Sequence, residues 1–160
     1  MAKLSHYDSA GQAAMVDVSG KKSSVRTAKA YGFVAMKPAV LRALPDNRKG
    51  DPLVVARIAG ITAAKKTADL IPLCHPVPLT HVGLDLQIQK AGVEIVATAS
   101  TDAQTGVEME ALTAVTIAAL TVYDMTKALD KAIEIRTVHL LEKTGGKSGD
   151  YRRTKKSRKA

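Results

Sequence analysis

Asp124 and Lys127 stand three positions apart in "ALTAVTIAALTVYDMTKAL", a run otherwise free of charge. In a helix that spacing puts them on one face, and Lys131 adds a cation one turn on. An exposed ion pair has the same pattern. Partly buried, the two would have shifted pKa values and could serve as acid and base. Glu108 and Glu110 sit near the start of the same run. Helix geometry places Glu110 and Asp124 roughly 21 Å apart along the axis and within about 40° in azimuth. One chain therefore cannot bring both to one reacting centre. A second copy of the helix, antiparallel about a two-fold near Ile117, would set Glu110 of one chain beside Asp124 of the other. Small Ala and Thr residues around Ile117 allow that approach. The expectation is a site at a subunit interface.

The stretch "LIPLCHPVPLT" (70–80) holds the single cysteine, Cys74, next to His75 and among Pro72, Pro76 and Pro78. Prolines this dense exclude helix and central strand. A structural zinc site needs four Cys or His ligands at short spacing. Here the histidines are 6, 75, 81 and 139, scattered along the chain, so no metal ligand is assigned. Consecutive residues rarely face one another and nothing nearby would depress the thiol pKa, so Cys74 reads as a small buried hydrophobe. The rigid loop leaves His75 as a residue aimed by its backbone, or as an ordinary core or surface histidine.

"KTGGKSG" (143–149) contains Gly-Lys-Ser, but a P-loop requires glycine where Leu141 stands and a helix afterwards. It is a glycine-rich turn whose backbone N–H groups, with Lys143 and Lys147, can cradle phosphate. A flexible turn into a tail is the plainer alternative.

The elements that must position these residues follow from pattern. Residues 1–24 read as an irregular arm, 26–36 as a strand, and 38–43 as a short helix. Residues 51–70 read as one helix, capped by Asp51 with Pro52 in its first turn, and with Val54, Ile58, Ile61 and Ala64–Ala68 at helical spacing. "HVGLDLQIQ" and "VEIVATAST" alternate as a β-hairpin around "KAG". A second helix of about 24 residues starts from Thr105, with Glu108 as capping-box partner. Residues 133–143 make a last strand. This βαββαβ order predicts a ferredoxin-like α+β sandwich, an antiparallel sheet with two helices on one face.

The 160 residues suit one domain with an aliphatic core, since 46% are hydrophobic but only 3% aromatic. One cysteine excludes an internal disulfide and fits a reducing compartment. Without a signal-like N-terminus or an 18-residue apolar run, the chain reads as soluble and cytoplasmic. The net charge is +9, but the last ten residues, 151–160, carry six basic groups and no acid. Residues 1–150, the single catalytic domain, keep +3, and the basic tail reads as disordered.

Four ordered segments, "MVDVSGK", "KGDPLVVARIAGITAAKKTADLIPLCHP", "TGVEMEALTAVTIAALTVYDMTKA" and "LLEKTGGKSGD", closely resemble the MoaC family, the cyclic pyranopterin monophosphate synthases of molybdenum cofactor biosynthesis. The likeness covers nearly the whole chain; the hairpin at 81–101 carries little of it and the tail none. It implies a ferredoxin-like subunit in a hexamer, a trimer of dimers, with sites between subunits. The implied substrate is 3′,8-cyclo-7,8-dihydroguanosine 5′-triphosphate, rearranged to the tricyclic pterin with closure of a cyclic phosphate and release of pyrophosphate. The family's catalytic aspartate and lysine fall on Asp124 and Lys127. Its substrate-contacting segments fall on Leu73, Cys74 and His75, and on Met109 and Glu110. Lys49, Arg26, Glu108, Lys143 and Lys147 occupy further binding or catalytic positions, and none departs from the pattern. A triphosphate calls for several cations, which Arg26, Lys49, Lys143 and Lys147 supply. No cofactor is demanded by the sequence, and magnesium (Mg2+) can accompany the phosphates.

A binding module is the rival reading. "KAYGFVAM" partly mimics an aromatic RNA-binding signature on a ferredoxin-like sheet. It lies on the first strand rather than the third, and Met36 replaces its final aromatic. A scaffold protein, a third reading, would bind no small molecule.

Overall fold

The computed structural model describes residues 6–8 and 10–154. Strand β1, Ser24–Ala35, turns Ala28, Ala30, Gly32 and Val34 to one side by the period-two rule, and all four are buried. A short helix α1, Pro38–Ala43, leads through a polar loop to α2, Pro52–Ala64. The Asp51 carboxylate accepts hydrogen bonds from Leu53 N (2.8 Å) and Val54 N (3.4 Å), and Pro52 fills the first turn. Such a cap contributes about 1 kcal/mol.

The helix expected over 51–70 breaks in two. Lys66 N–H closes a 3₁₀-type turn on Ala63 O (2.9 Å), and the buried Thr67 hydroxyl bonds Ala64 O (3.0 Å). A separate turn of helix, α3, Thr67–Leu70, then delivers the proline loop. The hairpin is present as β2, Leu79–Gln89, and β3, Gly92–Ala103. Helix α4, Glu108–Thr126, follows, then β4, Glu134–Thr144.

Sheet order is β2-β3-β1-β4 with a two-residue strand, β5 (Tyr151–Arg152), beyond β4, and every pair is antiparallel. Its first four strands have the ferredoxin-like order, with α2 and α4 packed together on one face. The fifth strand, β5, Tyr151–Arg152, departs from the expected disordered tail, for it pairs with Glu142 and Lys143. Residues 155–160 of that tail lie outside the described residues. Residues 14–23 of the arm form no strand or helix, as expected.

The core is aliphatic, and much of it is alanine and valine. Ala111, Ala114, Val115, Ala118, Ala119 and Val122 make the wholly buried stripe of α4. On α2 the inward face is Ala56, Gly60, Ala63 and Ala64, whereas Val54 and Ile58 are 49% and 61% exposed. Of the residues expected on the apolar face, Val54 and Ile58 therefore point outward, while Ile61 packs against the core and Ala64 is buried in it. The helices approach so closely that only the small residues fit between them. A Cβ on Gly60 would meet Leu84 Cδ2, and the Ala114 carbonyl oxygen at 2.8 Å. Gly32 does the same for α4 against β1, where a Cβ would run into Val115 Cγ1.

Gly60→Val should therefore lower stability in urea unfolding by about 1–3 kcal/mol, the ordinary cost of overpacking. Gly20→Ala, whose Cβ would have nothing within 4 Å, should stay within about 0.5 kcal/mol of the parent. Equal midpoints for the two variants would refute the close-approach argument.

Candidate active site

Two groups of the expected residues assemble, one at each end of α4. At its N-terminal end, Arg26 leaves β1 half-buried and its Nε donates to Ala103 O (2.9 Å). Together with Lys21, Gln104, Glu108, Lys143 and Ser148 it lines a polar cleft of about 190 Å³. Lys143 Nζ donates to Ser148 Oγ (2.6 Å) and stands 3.9 Å from the Glu108 carboxylate. Gly146, at φ +81°, lets the loop after β4 pass over the Arg26 guanidinium, where any Cβ would collide. Lys147 lines the adjoining wider groove with Lys21, Lys22, Ser23 and Arg26. The result is a concentration of positive charge with hydroxyls and backbone N–H groups between, suited to a polyanion.

Glu108 is not a capping residue. The N-cap of α4 is Val107, without a side-chain cap, and the helix begins three residues after Thr105. The Glu108 carboxylate bends back over Gly106, whose Cβ would meet Oε1 at 3.0 Å, and is committed to the cleft.

His75 lies on the other wall of the same region. It lines a cleft of about 310 Å³ with Val18, Ser23, Asp102, Gln104 and Thr105, the last two shared with the cationic cleft. The arm supplies Asp17, held below the usual carboxylate range by hydrogen bonds from Ser19 and more weakly by the charges of His75 and Lys21. Leu73 and Cys74 are half-buried, and Cys74 N–H turns back to Ile71 O (3.0 Å). Burial, reinforced by the charge of Glu110, pushes the Cys74 thiol up, away from thiolate chemistry. Across the proline loop, Glu110 is only 4% exposed and lines a cleft of about 270 Å³ with Thr67, Asp69 and Pro76–Pro78. Burial first, then the charge of Glu108, raises its carboxyl above the ordinary range, so it holds its proton longer than a surface glutamate. Met109, between the two glutamates, is exposed.

At the C-terminal end, Asp124 Oδ1 and Lys127 Nζ are 2.6 Å apart. Asn47 Nδ2 donates to Met125 O (2.8 Å), tying the loop that carries Lys49 to this helix end. The Lys127 hydrogen bond, its charge and that of Lys49 hold Asp124 below the usual carboxylate range, while Asp124 raises Lys127. Of the two alternatives, an exposed ion pair or a partly buried one, the chain holds the exposed one: side-chain exposures are 57% and 51%. Both shifts lead away from neutral forms, so within one chain this is an exposed ion pair. Lys131 falls outside the helix, which ends at Thr126 with Lys127 as C-cap.

The two groups are not brought together. From Glu110 to Asp124 the helix rises roughly 21 Å at 1.5 Å per residue. One end offers cations, a histidine and a buried carboxyl whose pKa is raised; the other offers a carboxylate–ammonium pair with Lys49 as a second cation. Among the described residues no three His, Cys, Asp or Glu gather to hold a metal, and no helix is long and apolar enough to cross a membrane. On the strand that mimics the aromatic RNA-binding signature, Tyr31 lies beside His139 (centroids 5.2 Å apart), with burial and then Glu94 raising the tyrosine hydroxyl. A carboxylate there does not suit a phosphate backbone.

Sequence reasoning passed over Asp17, Lys21 and Lys22 as site residues. The signal was the polar run around the apolar cluster in "MVDVSGK", which composition alone assigns to a loop.

Known proteins resemble this chain over most of its length. A protein of Nostoc sp. named cyclic pyranopterin monophosphate synthase is 56% identical over 154 residues, covering 94% of this chain and 92% of its own length. One of Streptomyces avermitilis with the same name is 56% identical over 154 residues, 95% and 91% of the two chains. Another, of Deinococcus radiodurans, is 56% identical over 151 residues, 93% and 89%. The family model described as "MoaC family" matches residues 15–146, from the arm that carries Asp17 through both ends of α4 to the glycine turn after β4. The chain belongs to the MoaC family.

Proposed function

We propose that the protein is an enzyme, a lyase, that converts 3′,8-cyclo-7,8-dihydroguanosine 5′-triphosphate into cyclic pyranopterin monophosphate and releases pyrophosphate, an early step of molybdenum cofactor biosynthesis. The observation that carries the reading is the cationic cleft of Arg26, Lys143 and Ser148 joined to the His75 cleft, in a chain so similar to the named synthases. The cleft fits the triphosphate; the adjoining His75 wall fits the purine-derived rings. Arg26, Lys143, Lys147 and Lys49 bind and neutralise phosphate oxygens. When a ribose hydroxyl attacks the α-phosphorus, the bond to the β-phosphate oxygen breaks. Pyrophosphate leaves with the developing negative charge, which fixed cations stabilise without reorganising. Opening and reclosing the purine ring moves protons, the work assigned to Asp124, Lys127 and His75. Glu110, protonated longer than a surface carboxyl, is suited to donate a hydrogen bond or proton to a ring nitrogen. No resident cofactor is assigned, and magnesium is treated as a counter-ion arriving with the triphosphate.

The working unit in this reading is a homo-oligomer, a hexamer built as a trimer of dimers. Its active sites join the N-terminal end of one α4 to the C-terminal end of another. The helix-length separation of the two groups supports it, as do Ile58 on α2 and Leu120 on α4, large apolar side chains left exposed. Burial against a second copy would also desolvate the Asp124–Lys127 pair, which one chain leaves in water. The compartment assigned is the cytoplasm.

Lys127→Ala should abolish product formation, by about 10²–10⁴-fold, while far-ultraviolet circular dichroism and the unfolding midpoint stay near the parent's. Near-normal turnover would remove Lys127 from the catalytic assignment. Glu110→Gln and Asp124→Asn chains, each inactive alone, should recover about a quarter of parental activity when dissociated together in equal amounts and reassembled, because half of two-fold dimers then hold one intact site. If hybrids stay inactive, the two groups do not share a site.

A further inference from the structure

We infer that Glu142 is a positioning residue for the glycine-rich loop between β4 and β5, and that its two ion pairs hold Lys143 and Lys147 where a phosphate chain lies. The inference rests on reading that loop as the phosphate-binding part of the site.

Neighbours on a strand face opposite ways, so β4 presents Lys143 to the Glu108 cleft and Glu142 to the far side of the sheet. On that far side the register aligns three strands in one row: Lys29 of β1 opposite Glu142, and Arg152 of β5 opposite Glu142 from the other edge. Both carboxylate oxygens are engaged. Oε1 is 2.8 Å from Lys29 Nζ, and Oε2 accepts from Arg152 Nε (3.2 Å) and Nη2 (3.1 Å). These bonds also hold the Glu142 carboxyl below the usual range, so it is charged at neutral pH.

The loop needs such an anchor. Gly145, Gly146 and Gly149 all take positive φ, and glycine loses more conformational freedom on ordering than any other residue. Within the loop the restraints are few: Gly145 N–H to Asp150 Oδ1 (3.0 Å), Gly149 N–H to Gly146 O (3.2 Å), and Lys143 to Ser148. Its far end is β5, two residues long, with Arg153 N–H bonded to Leu141 O (2.7 Å). A strand that short does not hold itself in place. An exposed ion pair is weak by itself, but here it decides whether the last strand stays paired. Through Glu142, β5 is tied to β1, a central strand of the sheet, and the loop is closed at both ends.

The test uses the full chain with Glu142→Gln. Amide hydrogen exchange at Gly145, Gly149 and Arg153 should speed up by about three- to tenfold. Affinity for inorganic pyrophosphate, measured by calorimetry, should weaken by a similar factor, and KM for the cyclic triphosphate should rise with kcat within about twofold of the parent. Arg152→Ala should reproduce these changes and Arg152→Lys should restore most of the parental values. Unchanged loop exchange in Glu142→Gln overturns the inference. Faster exchange with unchanged pyrophosphate affinity and KM also overturns it, because the order of the loop would then serve no anion. Loosened exchange in a protein whose parent binds no pyrophosphate removes the phosphate reading itself, a result distinct from failure of the clamp.

Discussion

Helix α4 can lie where it does only because its neighbours present almost no side chain to it. Gly60 of α2 and Gly32 of β1 leave room where a Cβ would strike Leu84, Ala114 O or Val115. Alanine and valine fill much of the surrounding core. Each buried methyl contributes on the order of 0.8 kcal/mol, so this interface gains stability from many small groups at close range rather than from a few large ones. The close approach also makes it intolerant, because a single added methyl group has no cavity to enter. The candidate site residues are arranged along this helix: Glu108 and Glu110 near its N-terminus line clefts, and Asp124 and Lys127 at its C-terminal end project into solvent.

Electrostatics divides along the same axis. At the buried end, Glu110 is desolvated and stays protonated to higher pH than an exposed carboxyl, with Glu108 acting in the same direction. At the solvent end, Asp124 and Lys127 stabilise each other's charged forms. A protein that moves protons on a heterocycle benefits from both kinds of group. The rigid separation of roughly 21 Å along α4 means that one copy holds them apart. In one chain the Asp124–Lys127 pair is left in water while Glu110 is not.

Local signals were most legible where the chain interacts with itself nearby. Asp51 and Pro52 mark a helix start because the cap is made within three residues. The alternation of Val82, Leu84, Leu86 and Ile88 marks a strand because one face of the sheet is buried, although Ile88 itself is exposed near the turn. Failures came where a distant partner changed the outcome. Thr105 and Glu108 have the spacing of a capping box, yet Glu108 turns to the cleft shared with Lys143. Val54 and Ile58 have core spacing, yet α4 selects the alanine and glycine face. Tyr151 and Arg152 belong to a basic run, yet Glu142 and the edge of β4 capture them as a strand.

The sequence by itself determined the order of elements, the ferredoxin-like topology and the residue types of the site, through periodicity, caps and four family motifs. It also implied that Glu110 and Asp124 cannot meet in one chain, since helix rise is fixed by backbone geometry. Only the tertiary structure decided which side of α2 is inward and that the arm brings Asp17 and Lys21 to His75 and Arg26. Those outcomes depend on contacts between residues far apart in the chain, and on how closely two backbones can approach, which no local pattern encodes.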